Sequence, residues 1–258
     1  MGVDHRAWAE YLLDAADRRT EVPSIAKQVD ALTVDDGYAI QAALVDLRLA
    51  RGERLVGAKL GLTSVAKQQQ MGVDEPAYGW VTDRSVLVSD KVALGELIHP
   101  RAEPEIVFRL GADLSGSSVT AADVLDATTE VLGGIEIIDS RYEAFAFTLP
   151  DVIADNTSAA RVRLGAGGAP PREVDLLAEP CELELDGEVV GRATGDALLG
   201  DPAACVALLA RHLDRYGRKL EAGWVVLAGA MTDAKPLGRG TVVTARYATF
   251  APVTVRGA

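Results

Sequence analysis

Apolar side chains recur at helical spacing over residues 7–18, with Trp8, Tyr11, Leu12, Leu13 and Ala15 in phase, until Val22-Pro23-Ser24 breaks the pattern. A second, longer helix is predicted over 34–50. Thr33 is its cap, Asp36 stands in as a shorter-armed capping-box acid, and Gly52 terminates it. Its apolar positions, among them Tyr38, Ile40, Leu44 and Leu47, spread too widely for one face, so packing on more than one side is expected. Residues 55–62 read as a short, glycine-interrupted strand. A short helix over 64–71 and a turn around 72–79 follow.

From about residue 80 the pattern changes to strands, predicted over 85–88, 103–110, 131–138, 181–185, 189–193, 224–230, 241–247 and 252–255. Asp186-Gly187 between two of them signals a hairpin. Helices interrupt this series at 120–129 and 202–216, the latter capped by Asp201, opened by Pro202 and closed by Gly217. Few strand-helix-strand units occur, which disfavours a doubly wound sheet. No internal repeat is present, and 165–171 is a loop. The expected fold is α+β, with a mostly helical segment over 1–80 leaning on a β-rich body over 81–258.

Composition narrows the class. With 48% hydrophobic and 25% charged residues in 258, the chain has the make-up of a globular protein and not of a disordered one. Its net charge of −12 argues against nucleic acid or an anionic membrane as partner. The two cysteines, Cys181 and Cys205, form no metal-ligand spacing, so neither a disulfide framework nor a zinc site is expected. The first residues lack a signal-peptide core, and no run of about 18 apolar residues occurs. A cytoplasmic chain acting on a small molecule is expected.

Histidine chemistry is scarce, because His5, His99 and His212 are not paired by spacing, and no Gly-x-Ser-x-Gly elbow exists. Gly238-Arg-Gly and Gly165-Ala-Gly-Gly precede no helix and are read as turns. Carboxylates say more. Glu103 and Glu105 are two apart on a strand, which puts both on one face and Ile106, Phe108 and Leu110 on the other. Those two alone are most simply a solvated face. Glu136, set among β-branched residues in Gly133-Gly-Ile-Glu-Ile-Ile-Asp, is costly to bury unpaired and shifts the reading toward an oxygen-rich site for Mg²⁺. Lys59 lies among small and apolar residues in Val56-Gly-Ala-Lys-Leu-Gly-Leu. In isolation it would snorkel to solvent. Beside the three glutamates and a divalent ion it would complete a neutral constellation.

Gly57-Ala-Lys-Leu-Gly-Leu-Thr-Ser, Gln68-Gln-Gln-Met-Gly-Val-Asp, Pro100-Arg-Ala-Glu-Pro-Glu-Ile-Val-Phe, Gly134-Ile-Glu-Ile-Ile-Asp-Ser-Arg-Tyr and Ala154-Asp-Asn-Thr-Ser-Ala-Ala occur in this order, and Gly229-Ala-Met-Thr follows late in the chain. Together they resemble the hydratase/decarboxylase branch of the fumarylacetoacetate hydrolase superfamily. The stretch from Ile138 to Ser158 is most similar to the members that decarboxylate 2-oxo-3-hexenedioate in aromatic meta-cleavage catabolism.

The resemblance implies a helical amino-terminal segment on a mixed β-sandwich roll. It implies Mg²⁺ or Mn²⁺ on Glu103, Glu105 and Glu136, with Lys59 as the catalytic amine. Ser158 and backbone groups around Leu62 are expected to bind the 2-oxo acid end, and Arg141 is a candidate for the distal carboxylate. A structural salt bridge from Arg141 to Glu143 or Asp139 is an equal expectation. Hydratases of this branch tend to carry an acid where this chain has Ala77, and the loss of a water-activating group there favours decarboxylation. The alternatives are 2-hydroxypentadienoate hydration on the same scaffold, hydrolysis of an acylpyruvate (for which an activating histidine is wanting) and a non-catalytic subunit of a decarboxylase-hydratase complex. A homo-oligomer and association with a pathway hydratase are also expected.

Overall fold

The computed structural model describes residues 2–64, 68–69, 72–73 and 75–258. Among these, helix α1 spans His5–Arg18 and α2 spans Val34–Ala50, where the Thr33–Asp36 capping box is formed in full. Gly52 closes the second helix at φ 87°, a conformation that glycine adopts without strain. Of the short helix expected over 64–71, residues 65–67 and 70–71 lie outside the described residues, as does residue 74 of the turn after it.

Strands β1 (Leu55–Gly61), β2 (Ala77–Thr82), β4 (Arg101–Leu110), β5 (Thr128–Ile138), β6 (Ala159–Leu164) and β9 (Val225–Ala230) form the larger sheet. Its order is β2-β1-β9-β4-β5-β6, and the two-residue strand β10 (Lys235–Pro236) pairs with the start of β4. The β1–β9 pair is parallel and the rest antiparallel. Beyond β2 the Leu87 N–H donates to the Val162 carbonyl of β6 at 2.8 Å, joining the two edges. Val81 of β2 and Val162 of β6 accordingly share one buried cluster with Val107, Leu132, Val225 and Leu227. The sheet is therefore rolled, and alternation along each strand gives it an inside and an outside.

A second sheet, ordered β3-β12-β11-β7-β8, lies against the outside. It comprises β3 (Lys91–Val92), β7 (Pro180–Leu185), β8 (Glu188–Thr194), β11 (Val242–Tyr247) and β12 (Val253–Gly257). Tyr247 pins it in place, its hydroxyl donating to the carbonyls of Glu105 and Gly134 at 3.0 and 2.9 Å. A Cβ at Gly133 would stand 2.3 Å from that ring, which explains the glycine. Helices α3 (Ala121–Ala127) and α5 (Pro202–Asp214) complete the principal core, while α1, α2 and α4 (Leu149–Ala154) form a separate apolar layer around Leu12, Ile25, Ile40 and Tyr142. The fold is α+β, a helical amino-terminal layer on a mixed β-roll. Both strands that begin within the first 80 residues, β1 and β2, belong to the large sheet.

Three differences from the sequence pattern have local causes. Residues 85–88 are not a strand: Ser85 ends a 3-10 turn and Val86 makes one isolated bridge. The turn around 72–79 gives way at Ala77 to β2, because Gly79 is needed in mid-strand, where a Cβ would meet Thr157 Oγ1 at 2.2 Å. Strand β6 and helix α4 escaped notice because both are only 6 residues long and flank a tight turn. The hairpin at Asp186-Gly187 is formed, with both residues at positive φ as a type I′ turn requires.

Candidate metal centre

Strand alternation carries Glu103 and Glu105 to the inside of the roll, and the β4–β5 register sets Glu136 directly opposite Glu103. One carboxylate oxygen from each of Glu103, Glu105 and Glu136 lies within 4.8 Å of the others. All three are buried, Glu105 completely, so the solvated-face reading of residues 103 and 105 fails. From β1, Lys59 enters the same space. It is 2% exposed and does not snorkel. Its Nζ lies 3.0 Å from Glu136 Oε2 and donates to the Thr157 carbonyl at 3.2 Å.

The electrostatics follow from this packing. Burial pushes the Glu105 carboxyl well above the ordinary glutamate value, and Glu136 reinforces the shift. Glu136 is also raised, burial outweighing the attraction of Lys59. Burial by itself would lower the Lys59 ammonium, but Glu136, Glu103 and Glu105 override it and hold the amine charged. One ammonium cannot balance three carboxylates. A second positive group is called for, and the donor set consists of hard oxygens. Glu105 Oε2 accepts from the Gly229 N–H at 2.7 Å, whereas the buried Oε1 has no partner among the described residues. An orphaned carboxylate oxygen facing two further carboxylates fits a divalent cation of the Mg²⁺ or Mn²⁺ type.

The turn Asn156–Ser158 frames the inner wall of this space. Asn156, Thr157 and Ser158 are all left-handed, at φ 51°, 50° and 58°. Asn156 anchors the turn, its amide donating to the Trp80 carbonyl at 3.0 Å and its side-chain oxygen accepting from the Trp80 N–H at 2.8 Å. Thr157 Oγ1 is buried without a partner among the described residues. Ser158, also buried, directs its hydroxyl to Asp155 Oδ2 at 3.4 Å. Leu62 follows Lys59 out of β1 at φ 59°, its carbonyl accepting from Gln68 Nε2 at 3.0 Å.

Lys59, Glu103, Glu105 and Glu136 therefore form one cluster, with the Ser158 turn in contact with it through Thr157. Arg141 is placed differently. Its guanidinium forks onto Asp155, binding both the carboxylate and the backbone carbonyl, and also donates to the Asp139 carbonyl at 2.8 Å. Neither Glu143 nor the Asp139 carboxylate is its partner. Asp139 instead accepts from the N–H groups of Ile98 and His99 at 2.9 and 2.8 Å. With its donors committed, Arg141 sets the geometry of the 155–158 turn and does not reach for a ligand.

Sequence reasoning missed Asp155, Asn156, Thr157 and Gly79, and did not weigh Arg101 as a candidate. Arg101 had a legible signal: it stands two residues before Glu103, on the same strand face. Its guanidinium lies 4.0 Å from the centre of the Phe145 ring and makes no hydrogen bond or ion pair among the described residues. The histidines are elsewhere, His5 on Asp36 at 2.8 Å, His99 on the Ser140 carbonyl at 2.7 Å and His212 among tyrosines.

No family model matches the chain. A 4-oxalocrotonate decarboxylase from Pseudomonas sp. (strain CF600) is 39% identical over 251 residues, covering 97% of this chain and 95% of the relative. A 2-hydroxypent-2,4-dienoate hydratase from Pseudomonas putida is 41% identical over 202 residues, or 78% of this chain and 90% of the relative. Among solved structures, 4-oxalocrotonate decarboxylase from Pseudomonas putida G7, complexed with magnesium and adipate, superposes with a TM-score of 0.95 at 36% identity, covering 98% of this chain and 97% of that one. A fumarylacetoacetate hydrolase family protein from Yersinia pestis CO92 shares the fold at 15% identity and a TM-score of 0.59, over 78% of this chain and 92% of that one.

Proposed function

The chain belongs to the hydratase/decarboxylase branch of the fumarylacetoacetate hydrolase superfamily, and we propose that it is a Mg²⁺- or Mn²⁺-dependent carboxy-lyase converting 2-oxo-3-hexenedioate to 2-hydroxypenta-2,4-dienoate and CO₂. The observation that carries this reading is the buried triad Glu103, Glu105 and Glu136 with the Lys59 ammonium against it. Glu103, Glu105 and Glu136 would hold the cation. When bound, it supplies a Lewis acid for the oxygens of a 2-oxo acid.

The remaining work falls to the chain. Cleavage of the C5–C6 bond sends its electron pair through the C3–C4 double bond toward the 2-oxygen, where negative charge grows as CO₂ departs. The Lys59 ammonium is held in a water-poor interior at the place where that charge develops, and it can deliver the proton that yields the enol. Thr157 Oγ1, left without a partner, is available to a substrate oxygen. Ser158 and the Leu62 backbone border the same end. Arg101, with no ion pair among the described residues and two positions before Glu103 on β4, replaces Arg141 as the candidate cation for the distal carboxylate. Its role is to orient that group, since a grip that persisted in the transition state would oppose CO₂ release.

Decarboxylation is favoured over hydration on two grounds. Two of the decarboxylase relatives match over 97% of this chain, whereas the hydratase match covers 78% of it. Ala77, at the head of β2, is 1% exposed and brings no group to activate water. The test is incubation with the six-carbon diacid and Mg²⁺. Release of one CO₂ per dienoate formed supports the proposal. Water addition to the five-carbon dienoate with no CO₂ from the diacid would replace it with hydratase activity.

A further inference from the structure

The outer face of β1 and β2 bounds a second cavity, of about 540 Å³, between α2 and α5. Alternation separates it from the metal centre. Ala58, Tyr78 and Trp80 line the cavity, while Lys59 lies on the inner face of the same strand. Its volume is in the range of small-molecule sites, and neither the metal centre nor the proposed reaction uses it.

Its walls are aromatic. His212 lies with its ring centre 4.1 Å from that of Tyr78, 4.9 Å from Tyr38 and 5.1 Å from Tyr216. Two polar groups in this setting lack partners. His212 is 8% exposed, yet its Nδ1 has no hydrogen bond among the described residues. The Arg218 guanidinium sits 5.1 Å from the centre of the Trp80 ring and makes no hydrogen bond or ion pair among the described residues. Burial pushes the His212 imidazole down to about 4, so near neutral pH the ring is uncharged and Arg218 is the cavity's cation. Asp35 also lines the space and supplies a negative charge.

We propose that this cavity is a binding site for a planar aromatic monocarboxylate. The ring would stack among Tyr38, Tyr78, Trp80 and Tyr216, the carboxylate would pair with Arg218, and His212 Nδ1 would meet a polar ring substituent. Asp35 opposes a second negative charge, which sets this ligand class apart from the dicarboxylate proposed for the metal centre. The inference rests on the aromatic walls and the two unpartnered groups, and it stands whether the metal centre decarboxylates or hydrates.

The test is titration of the Mg²⁺-loaded full chain with 4-hydroxybenzoate, followed by calorimetry and by tryptophan fluorescence. Saturable binding at one site per chain is expected, with tenfold or greater weakening in Arg218→Gln and in Tyr216→Leu. Both residues are exposed at the rim, so the substitutions spare the core. Terephthalate, with its second carboxylate, should bind at least tenfold more weakly. Lys59→Ala should leave 4-hydroxybenzoate binding unchanged. Absence of saturable binding, binding indifferent to both rim substitutions, or loss of binding in Lys59→Ala would overturn the proposal.

Discussion

The two ends of the roll's interior share strands β4 and β5 and could hardly differ more. At one end β1, β4 and β5 present Lys59, Glu103, Glu105 and Glu136; at the other, β2, β4, β5, β6 and β9 present Val81, Val107, Leu132, Val162, Val225 and Leu227. On β4 the change occurs within a single step of the alternation, from Glu105 to Val107. The aliphatic end is stable through close packing and the exclusion of water. The charged end is held by the Lys59 ammonium and the Gly229 N–H, and its donor set fits a divalent cation. One end carries the fold and the other borrows from it.

That contrast can be broken in graded steps. Lys59→Ala should lower kcat by a factor on the order of 10³ or more, since the developing oxyanion loses its ammonium, while circular dichroism reports an unchanged fold. Leu132→Ala should act in the opposite way, costing about 2–5 kcal/mol in urea denaturation with little change in KM. A chelator should lower the melting temperature, and Glu136→Gln should weaken Mg²⁺ affinity about 10–100-fold by calorimetry, because one of three anionic donors is neutralised. Arg101→Gln should raise KM for the diacid about tenfold and change kcat less, the pattern of lost ground-state orientation.

The smallest effect concerns pH. The His212 value of about 4 lies below the ordinary 6.5, so the unfolded chain takes up the proton first as pH falls. The stability contributed by the neutral ring is complete above pH 6.5, declines through the window down to about 4 and is then lost. After allowance for solvent screening this amounts to about 1 kcal/mol. His212→Leu should flatten that part of a stability-pH curve.

Much of this arrangement was readable from order and spacing alone. The Thr33–Asp36 box fixed the start of α2, Asp186-Gly187 fixed the β7–β8 turn, and parity placed Glu103 and Glu105 on one face. The cost of burying Glu136 marked it out without any neighbour being known. What escaped was tertiary. Whether Arg141 meets Glu143, Asp139 or Asp155 depends on how α4 returns the chain, and no local rule selects among three nearby acids. Gly79 looked like a turn residue because its real reason, the approach of Thr157, lies far along the chain. The rolled closure of β2 toward β6 is equally invisible to periodicity, since Val81 and Val162 meet only when the sheet curls.

The left-handed run Asn156-Thr157-Ser158 has a consequence for how this protein would change under selection. Residues with side chains in that conformation each cost about 1 kcal/mol or more. Glycine at Thr157 or Ser158 would relax the backbone and, taken alone, toughen the molecule against heat. It would also slacken the grip of the Asn156 amide on the Trp80 backbone, or let the Thr157 carbonyl drift from the amine it steadies. A screen for thermal endurance alone should therefore collect glycines here, and the survivors should be hardy proteins that turn over slowly.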